Sequence, residues 1–307
     1  MQIEPSRLTL TLNNFSLAQI ADSGQCFRMK PLPVENIRKI FPDSPDATGF
    51  RLISKGHVAQ AYQDKNILTI LSSPGDEDFW KKYLDTDTDY GALVASADPE
   101  DAYLCAAAAY GRGIRILFQD PWEMIITFII SQQKTIPKIC EAVELLSQNY
   151  GDRLLDFDGN PCWAFPSPIQ LSRASLEDLN RLKLGYRGKY IYRTCQDAVS
   201  GRLDLEYLHR CDYSQAMNYL MQFYGIGEKV ANCICLFGLH HIEAFPVDTW
   251  IKKILDREYM DGDLKSIPKS HIYTAIVQKH FSRYEGYAGL MQQYIFYYER
   301  HLSLKGV

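Results

Sequence analysis

AMNYLMQFYGIGEKVANCICLFGL, residues 216–239, decides how this chain is read. Apolar helical runs flank Gly225-Ile226-Gly227, so the stretch spells a helix, a glycine turn and a second helix, expected over about 214–240. Two glycines let the backbone approach a ligand closely and leave the second helix's first N–H groups pointing outward, an anion site. A dinucleotide fingerprint fits poorly, because the third glycine position holds Val230 and no strand precedes. A P-loop lacks its Gly-Lys-Ser/Thr. Lys229 opens the second helix, where the macrodipole disfavours a cation but favours a neutral amine.

Nineteen residues further on, Pro246-Val247-Asp248 leads into the amphipathic run TWIKKIL. Asp248 reads as an N-cap. A hairpin lysine and a capping aspartate returning after one intervening helix also make a nucleophile and carboxylate pair. Taken alone, Lys229 reads better as an exposed lysine and Asp248 as a plain cap.

Outward from the hairpin, the chain divides in two. Residues 7–72 are β-rich: Leu8, Leu10 and Leu12 alternate with threonines, and RLISK, HVAQAY and NILTILS follow as short runs split by Gly56 and by QDKN, a meander pattern. From Asp76 the periodicity turns helical, in WEMIITFIISQQ, EAVELLSQNY, KVANCICLFGL, DTWIKKILDREY and LMQQYIFYYERHL. The fold class expected is α+β: an N-terminal antiparallel sheet domain over 1–75, then a larger all-helical region over 76–307 of two subdomains.

The 307 residues are 46% hydrophobic and 23% charged, ordinary for a globular protein. No stretch approaches 18 uncharged apolar residues, so no membrane span is expected. Met1 to Phe15 lacks the apolar core of a secretory signal. The eight cysteines form no C-x-x-C pair and show no zinc or iron–sulfur spacing, so no metal is expected and an intracellular, reducing compartment is.

The net charge of −4 is unevenly placed. Nine acids against Lys81 and Lys82 give residues 76–101 a charge of −7, leaving +3 on the rest. From Arg181 to Arg193 five basic residues occur without an acid, interleaved with Tyr186, Tyr190 and Tyr192. That pattern is either a solvated helix end or a grip on phosphates and bases.

The hairpin, Lys229 and Pro-Val-Asp248 resemble the helix-hairpin-helix DNA glycosylases with a lysine nucleophile, and more specifically the 8-oxoguanine DNA glycosylases. SGQCFR (23–28), QDPWEMIITFIISQQ (119–133), FPSP (165–168), LGYRGKY (184–190), KVANCICL (229–236) and YAGLMQQYIF (287–296) carry the same resemblance in order along nearly the whole chain. It implies a bifunctional glycosylase and abasic-site lyase without cofactor, acting as a monomer on double-stranded DNA containing 8-oxoguanine. Lys229, as a neutral amine, would attack the anomeric carbon and form a Schiff base permitting β-elimination. Asp248 would stabilise charge on the sugar, as in glycoside cleavage.

The flipped base would lie between Cys233 and Phe296, read by the Gly24 carbonyl and Gln292. N7 carries a hydrogen in 8-oxoguanine and none in guanine, so that carbonyl can select by accepting it. Gln133 would fill the gap, Tyr186 and Arg187 would wedge beside and contact the estranged partner, and Gly225, Gly227 and Val230 would present N–H groups to phosphate. The departures resemble the bacterial branch: Gln132-Gln133-Lys134 stands for the eukaryotic asparagine cluster, Lys138 for a second arginine and Trp250 for a histidine. Looser selectivity for the opposite cytosine is the expectation these departures raise. No cysteine follows Cys235, so the iron–sulfur loop of some relatives is absent. Other oxidised or alkylated bases, then a non-catalytic DNA-binding module, are the alternatives.

Overall fold

The computed structural model describes residues 4–304; the outermost ends of the two expected domains, 1–3 and 305–307, lie outside the described residues. The N-terminal part is a five-stranded antiparallel sheet: β1 Ser6–Thr11, β2 Lys30–Pro31, β3 Thr48–Ser54, β4 His57–Asp64 and β5 Ile67–Ser72, in the order β1-β5-β4-β3-β2. Turn chemistry sets the register. Lys55 and Gly56 both take positive φ (50° and 81°) between β3 and β4, which matches strand twist in a two-residue hairpin. Lys65 does the same (φ 50°) between β4 and β5. Leu8 then sits opposite Ile70 and Leu10 opposite Leu68.

One face of the sheet packs on the short helix Leu17–Asp22 and on Trp80, Tyr83, Leu84 and Leu117. The other face is covered by a feature that the helical periodicity after Asp76 does not show, a small hairpin of β6 Arg153–Leu155 and β7 Pro161–Trp163. Leu154 and Cys162 meet Ile53 and Val58 there. The loop between β6 and β7 is fastened by Asp158, which accepts from Asn36 and Gln60, and by Asp156, paired with Arg51 at 3.2 Å. Strand β4 is therefore buried on both faces.

The helical part is built round helix Pro121–Ser131, whose first ten residues are buried. It packs on the second hairpin helix, Glu228–Gly238. Gly238 permits the approach, since a Cβ there would stand 3.3 Å from the Pro121 Cα. The first hairpin helix, Tyr213–Leu220, begins with a capping box between Asp212 and Gln215. The C-terminal helix, Ala288–Leu304, starts against the loop after the hairpin, where a Cβ at Gly289 would lie 2.1 Å from the Ala244 carbonyl. It then runs back to the N-terminal part, where Gln293 donates to the Ser23 carbonyl at 2.6 Å. Sheet domain and hairpin are thus joined through one helix. No helix among the described residues is long and apolar enough to cross a membrane.

Candidate active site

Gly225 turns the hairpin at φ +90°, and a Cβ there would lie 2.4 Å from the Tyr190 ring, so glycine is required twice over. Gly227 is the N-cap and has no side chain to offer. The first backbone bond of the helix runs from Ala231 N–H to the Gly227 carbonyl at 2.9 Å. The N–H groups of Glu228, Lys229 and Val230 therefore have no intrahelical acceptor, and the dipole adds to their pull on an anion.

Lys229 Nζ stands 5.6 Å from the centre of the Phe128 ring and against Cys233, one turn on. Cys233 is only 4% exposed, and its burial pushes the thiol's pKa up. The neighbouring Lys229 pulls it down and the Asp248 carboxylate pushes it up again. Lysine, thiol and carboxylate therefore share one electrostatic neighbourhood. Asp248 caps helix Thr249–Glu258, its Oδ1 accepting from the N–H groups of Trp250 (2.9 Å) and Ile251 (2.8 Å). Its other oxygen accepts no hydrogen bond among the described residues.

The loop Ser23–Arg28 is held by its buried side chains. Gln25 is fully buried, donates to the Arg115 carbonyl (2.8 Å) and accepts from Leu117 N–H (2.9 Å). The Ser23 carbonyl takes Gln293 and the Gln25 carbonyl takes Gln119 at 2.9 Å. Gly24 between them sits at φ +81°, and its own carbonyl accepts no hydrogen bond among the described residues. An oxygen held on both sides and left unpaired is available to accept a hydrogen bond from a ligand. Phe296 lies against it, 3.2 Å from where a Cβ of residue 24 would be. Gln292, on the same helix as Phe296, is 4% exposed, and its buried Oε1 has no hydrogen-bond partner, a second orphan acceptor.

The third group lies where helix Pro121–Ser131 ends. Gln133 is exposed and takes φ +52°, an uncommon conformation for a side-chain-bearing residue. Arg187 is 7% exposed: its Nε donates to the Gln132 carbonyl at 2.8 Å, with Nη2 on the same oxygen, and its Nη1 donates to the Leu184 carbonyl at 3.2 Å. The Gln132 side chain in turn donates to the Gly225 carbonyl at 3.0 Å. Arg187, the turn at Gln133 and the hairpin thus form one strut. Tyr186 is 44% exposed and packs under the Arg187 guanidinium, 4.5 Å from it. Lys138 pairs with Glu141 at 2.7 Å.

Sequence reasoning named the ends of this arrangement and missed its joints. Gln132 was visible only as part of an altered cluster, and Gln293 as the second of two glutamines in LMQQ. At the end of the Ser23–Arg28 loop, Arg28 meets the buried Glu123 at 3.5 Å; burial pushes the Glu123 carboxyl up to about 7 although Arg28 pulls it down. Among the described residues no group of three or more His, Cys, Asp or Glu is placed to hold a metal.

The 8-oxoguanine DNA glycosylase N-terminal domain family matches residues 7–125, and the HhH-GPD superfamily of base excision DNA repair proteins matches 126–274. The 8-oxoguanine glycosylase/lyase of Clostridium acetobutylicum, solved with double-stranded DNA containing cytosine opposite 8-oxoguanine, superposes with a TM-score of 0.84 at 29% identity, over 98% of this chain and 96% of that one. Its apo form gives 0.80 at 30% identity, over 97% and 99%. The N-glycosylase/DNA lyase OGG1 of Arabidopsis thaliana is 34% identical over 221 residues, 70% of this chain. The N-glycosylase/DNA lyase of Saccharomyces cerevisiae is 37% identical over 159 residues, 48% of this chain. The matched stretches span 60% and 42% of those two relatives. With two adjoining family matches and a sheet, hairpin and lysine placed as they are, the chain belongs to the 8-oxoguanine DNA glycosylases of the helix-hairpin-helix superfamily.

Proposed function

We propose that the protein excises 8-oxoguanine from duplex DNA and cleaves the resulting abasic strand, inside the cell and as a monomer. The observation that carries this reading is the convergence of Lys229 and Asp248, at the starts of two helices, on the buried Cys233. A phosphate-binding hairpin alone needs neither a lysine nucleophile nor a carboxylate with one oxygen free.

The hairpin N–H groups of the first turn hold backbone phosphate and bring the flipped nucleotide to Lys229. The Nζ–C1′ bond forms as the bond from C1′ to the base breaks, and the base leaves with a proton. Opening of the sugar gives the iminium; loss of a C2′ proton then expels the 3′ phosphate. Asp248 faces the developing positive charge with its unbonded oxygen. The orphan acceptors explain selection: the Gly24 carbonyl accepts the N7 hydrogen that only the oxidised base carries, and Gln292 meets the base's other edge. Guanine would leave that carbonyl unpaired in a closed site, a loss of about 1–3 kcal/mol.

Borohydride trapping on a duplex with one 8-oxoguanine tests this. The wild-type chain should give a covalent adduct that Lys229→Gln abolishes, with excision lowered at least a hundredfold. Excision without an adduct would remove the Schiff base from the mechanism. No excision at all would remove the substrate.

A further inference from the structure

A clamp that the chemistry above does not use closes on the chain just before Gly24. Helix Leu17–Asp22 ends there, and the Asp22 carbonyl, an orphan acceptor of its last turn, takes Nη2 of Arg300. The same nitrogen donates to the Asp22 carboxylate through Oδ1. His301 faces the other carboxylate oxygen: its Nε2 lies 2.9 Å from Oδ2, and its Nδ1 lies 2.8 Å from the Tyr297 carbonyl. Arg300 also rests against Gly24 itself, since a Cβ there would stand 3.5 Å from Nη1.

Arg300 belongs to helix Ala288–Leu304, which carries both Gln292 and Phe296. The three recur at every fourth position and so share one face. Along the loop, the Asp22 carbonyl is taken by Arg300, that of Ser23 by Gln293 and that of Gln25 by Gln119. The Gly24 carbonyl, inside this series, is left open. One helix therefore presents two of the groups expected to meet the base and grips the loop that presents the third. Its grips set how far the Gly24 carbonyl stands from Phe296 and Gln292.

We propose that Arg300, with Asp22 as its partner, is a specificity-determining positioning residue. It acts through the loop and not on the base, holding the Gly24 carbonyl where a hydrogen on N7 can reach it. The inference rests on the 8-oxoguanine reading and adds to it the residue that sets the spacing of the base slot. Without the clamp, a small shift of the loop would lengthen that one hydrogen bond, which weakens steeply with geometry. Lys229 and Asp248 stand on two other helices and would keep their places.

The test separates base reading from strand chemistry. Wild type, Arg300→Gln, Arg300→Lys and Asp22→Asn are compared in single turnover on two duplexes, one with 8-oxoguanine opposite cytosine and one with a preformed abasic site. Only the first contains a base to be read. Arg300→Gln should slow excision about tenfold and leave cleavage at the abasic site unchanged, with the melting temperature barely moved, because an exposed ion pair adds little stability. Arg300→Lys keeps the charge but not the fork, and should recover part of the loss. Asp22→Asn keeps the main-chain oxygen that Arg300 grips and should lose less than Arg300→Gln. In a chain made inactive by Lys229→Gln, adding Arg300→Gln should also lower the ratio of affinities for 8-oxoguanine and guanine duplexes by about tenfold. Excision at the wild-type rate in Arg300→Gln, an equal fall in excision and abasic cleavage, or an unchanged affinity ratio would each overturn the proposal. Failure of the 8-oxoguanine reading would appear instead as a wild-type chain that excises nothing from the first duplex.

Discussion

Two stretches of opposite charge show how little net charge says by itself. Residues 76–101 carry −7, and most of their carboxylates are engaged within the protein. Asp89 and Asp101 cap helices through the N–H groups of Ala92 and Leu104. Asp76 meets His57 at 2.9 Å, Asp98 meets Arg283, and Asp101 also accepts from Tyr259 at 2.9 Å. Asp85 takes hydroxyls from Thr88 and Tyr90, both at 2.7 Å. Residues 181–193 differ. Arg181 pairs with Glu177 and Asp178, and Arg187 is turned inward. Lys183, Lys189 and Arg193 form no salt bridge among the described residues, and Arg193 instead lies 4.9 Å over the exposed Tyr224. That ring packs on Tyr190, which packs on Tyr186. The acids hold the helical part together, while the bases and tyrosines stay open to a polyanion. A total of −4 therefore says nothing against a nucleic-acid partner.

The largest test of this contrast is Asp85→Ala. Asp85 is 6% exposed, and its loss strands Tyr90, Thr88 and His240 in a site that also buries Arg115. The cost should be about 3 kcal/mol of stability, with the salt dependence of duplex binding unchanged. Burial alone would raise the Asp85 carboxyl's pKa, but hydrogen bonds from His240, Thr88 and Tyr90 outweigh it and hold it below its ordinary value. A depressed carboxyl contributes stability that is present above the unfolded pKa and lost as pH falls through the folded one. The gap in melting temperature between wild type and variant should therefore be constant near neutrality and narrow below about pH 4. A variant that loses duplex affinity while melting normally would mean the acidic stretch touches DNA.

A smaller effect is expected at the strut. Gln132→Ala removes the donor to the Gly225 carbonyl, and Gln132→Glu removes it while keeping the shape. Both leave the main-chain oxygen that Arg187 grips. Each should slow single-turnover excision about tenfold, some 1.4 kcal/mol of misplacement, with little change in duplex affinity. Rates within twofold of wild type for both variants would reduce the strut to packing.

The same contrast marks what was legible in the sequence. The sheet announces itself because alternation and turn residues are local signals, and Leu8, Leu10, Lys55-Gly56 and Lys65 lie where the strands and hairpins need them. The pair β6 and β7 does not, since three residues are too few to show a period and its partners lie some 100 residues away on the sheet. Glycines at 24, 225 and 227 and the cap at Asp248 could be named from residue type. The role of Gln132 could not, because its hydrogen bond spans 93 residues, nor that of Gln293, whose bond spans 270. Arg187 is ambiguous in sequence for a plainer reason: a guanidinium serves a base edge and a buried carbonyl equally well. The acidic stretch shows its surplus but not its use, since caps and tertiary ion pairs look alike before the chain is folded.

The finest test asks whether the open cations act as counter-charges for DNA. Lys189 and Arg193 stand on one helix, Arg187–Val199, and both can be changed without disturbing a salt bridge among the described residues. Lys189→Gln and Arg193→Gln should each weaken duplex binding uniformly across sequences, and each should lower the salt slope by about 1 if it meets a phosphate. Arg193→Gln should have the larger effect on affinity, because it also frees the Tyr224 ring from the cation above it. Arg181→Gln is the internal comparison: its guanidinium is already paired, so its slope should not move. Equal shifts for all three would mean that the basic stretch acts as a diffuse field, not through contacts. The division between paired and open charge would then describe the folded chain but not its encounter with DNA.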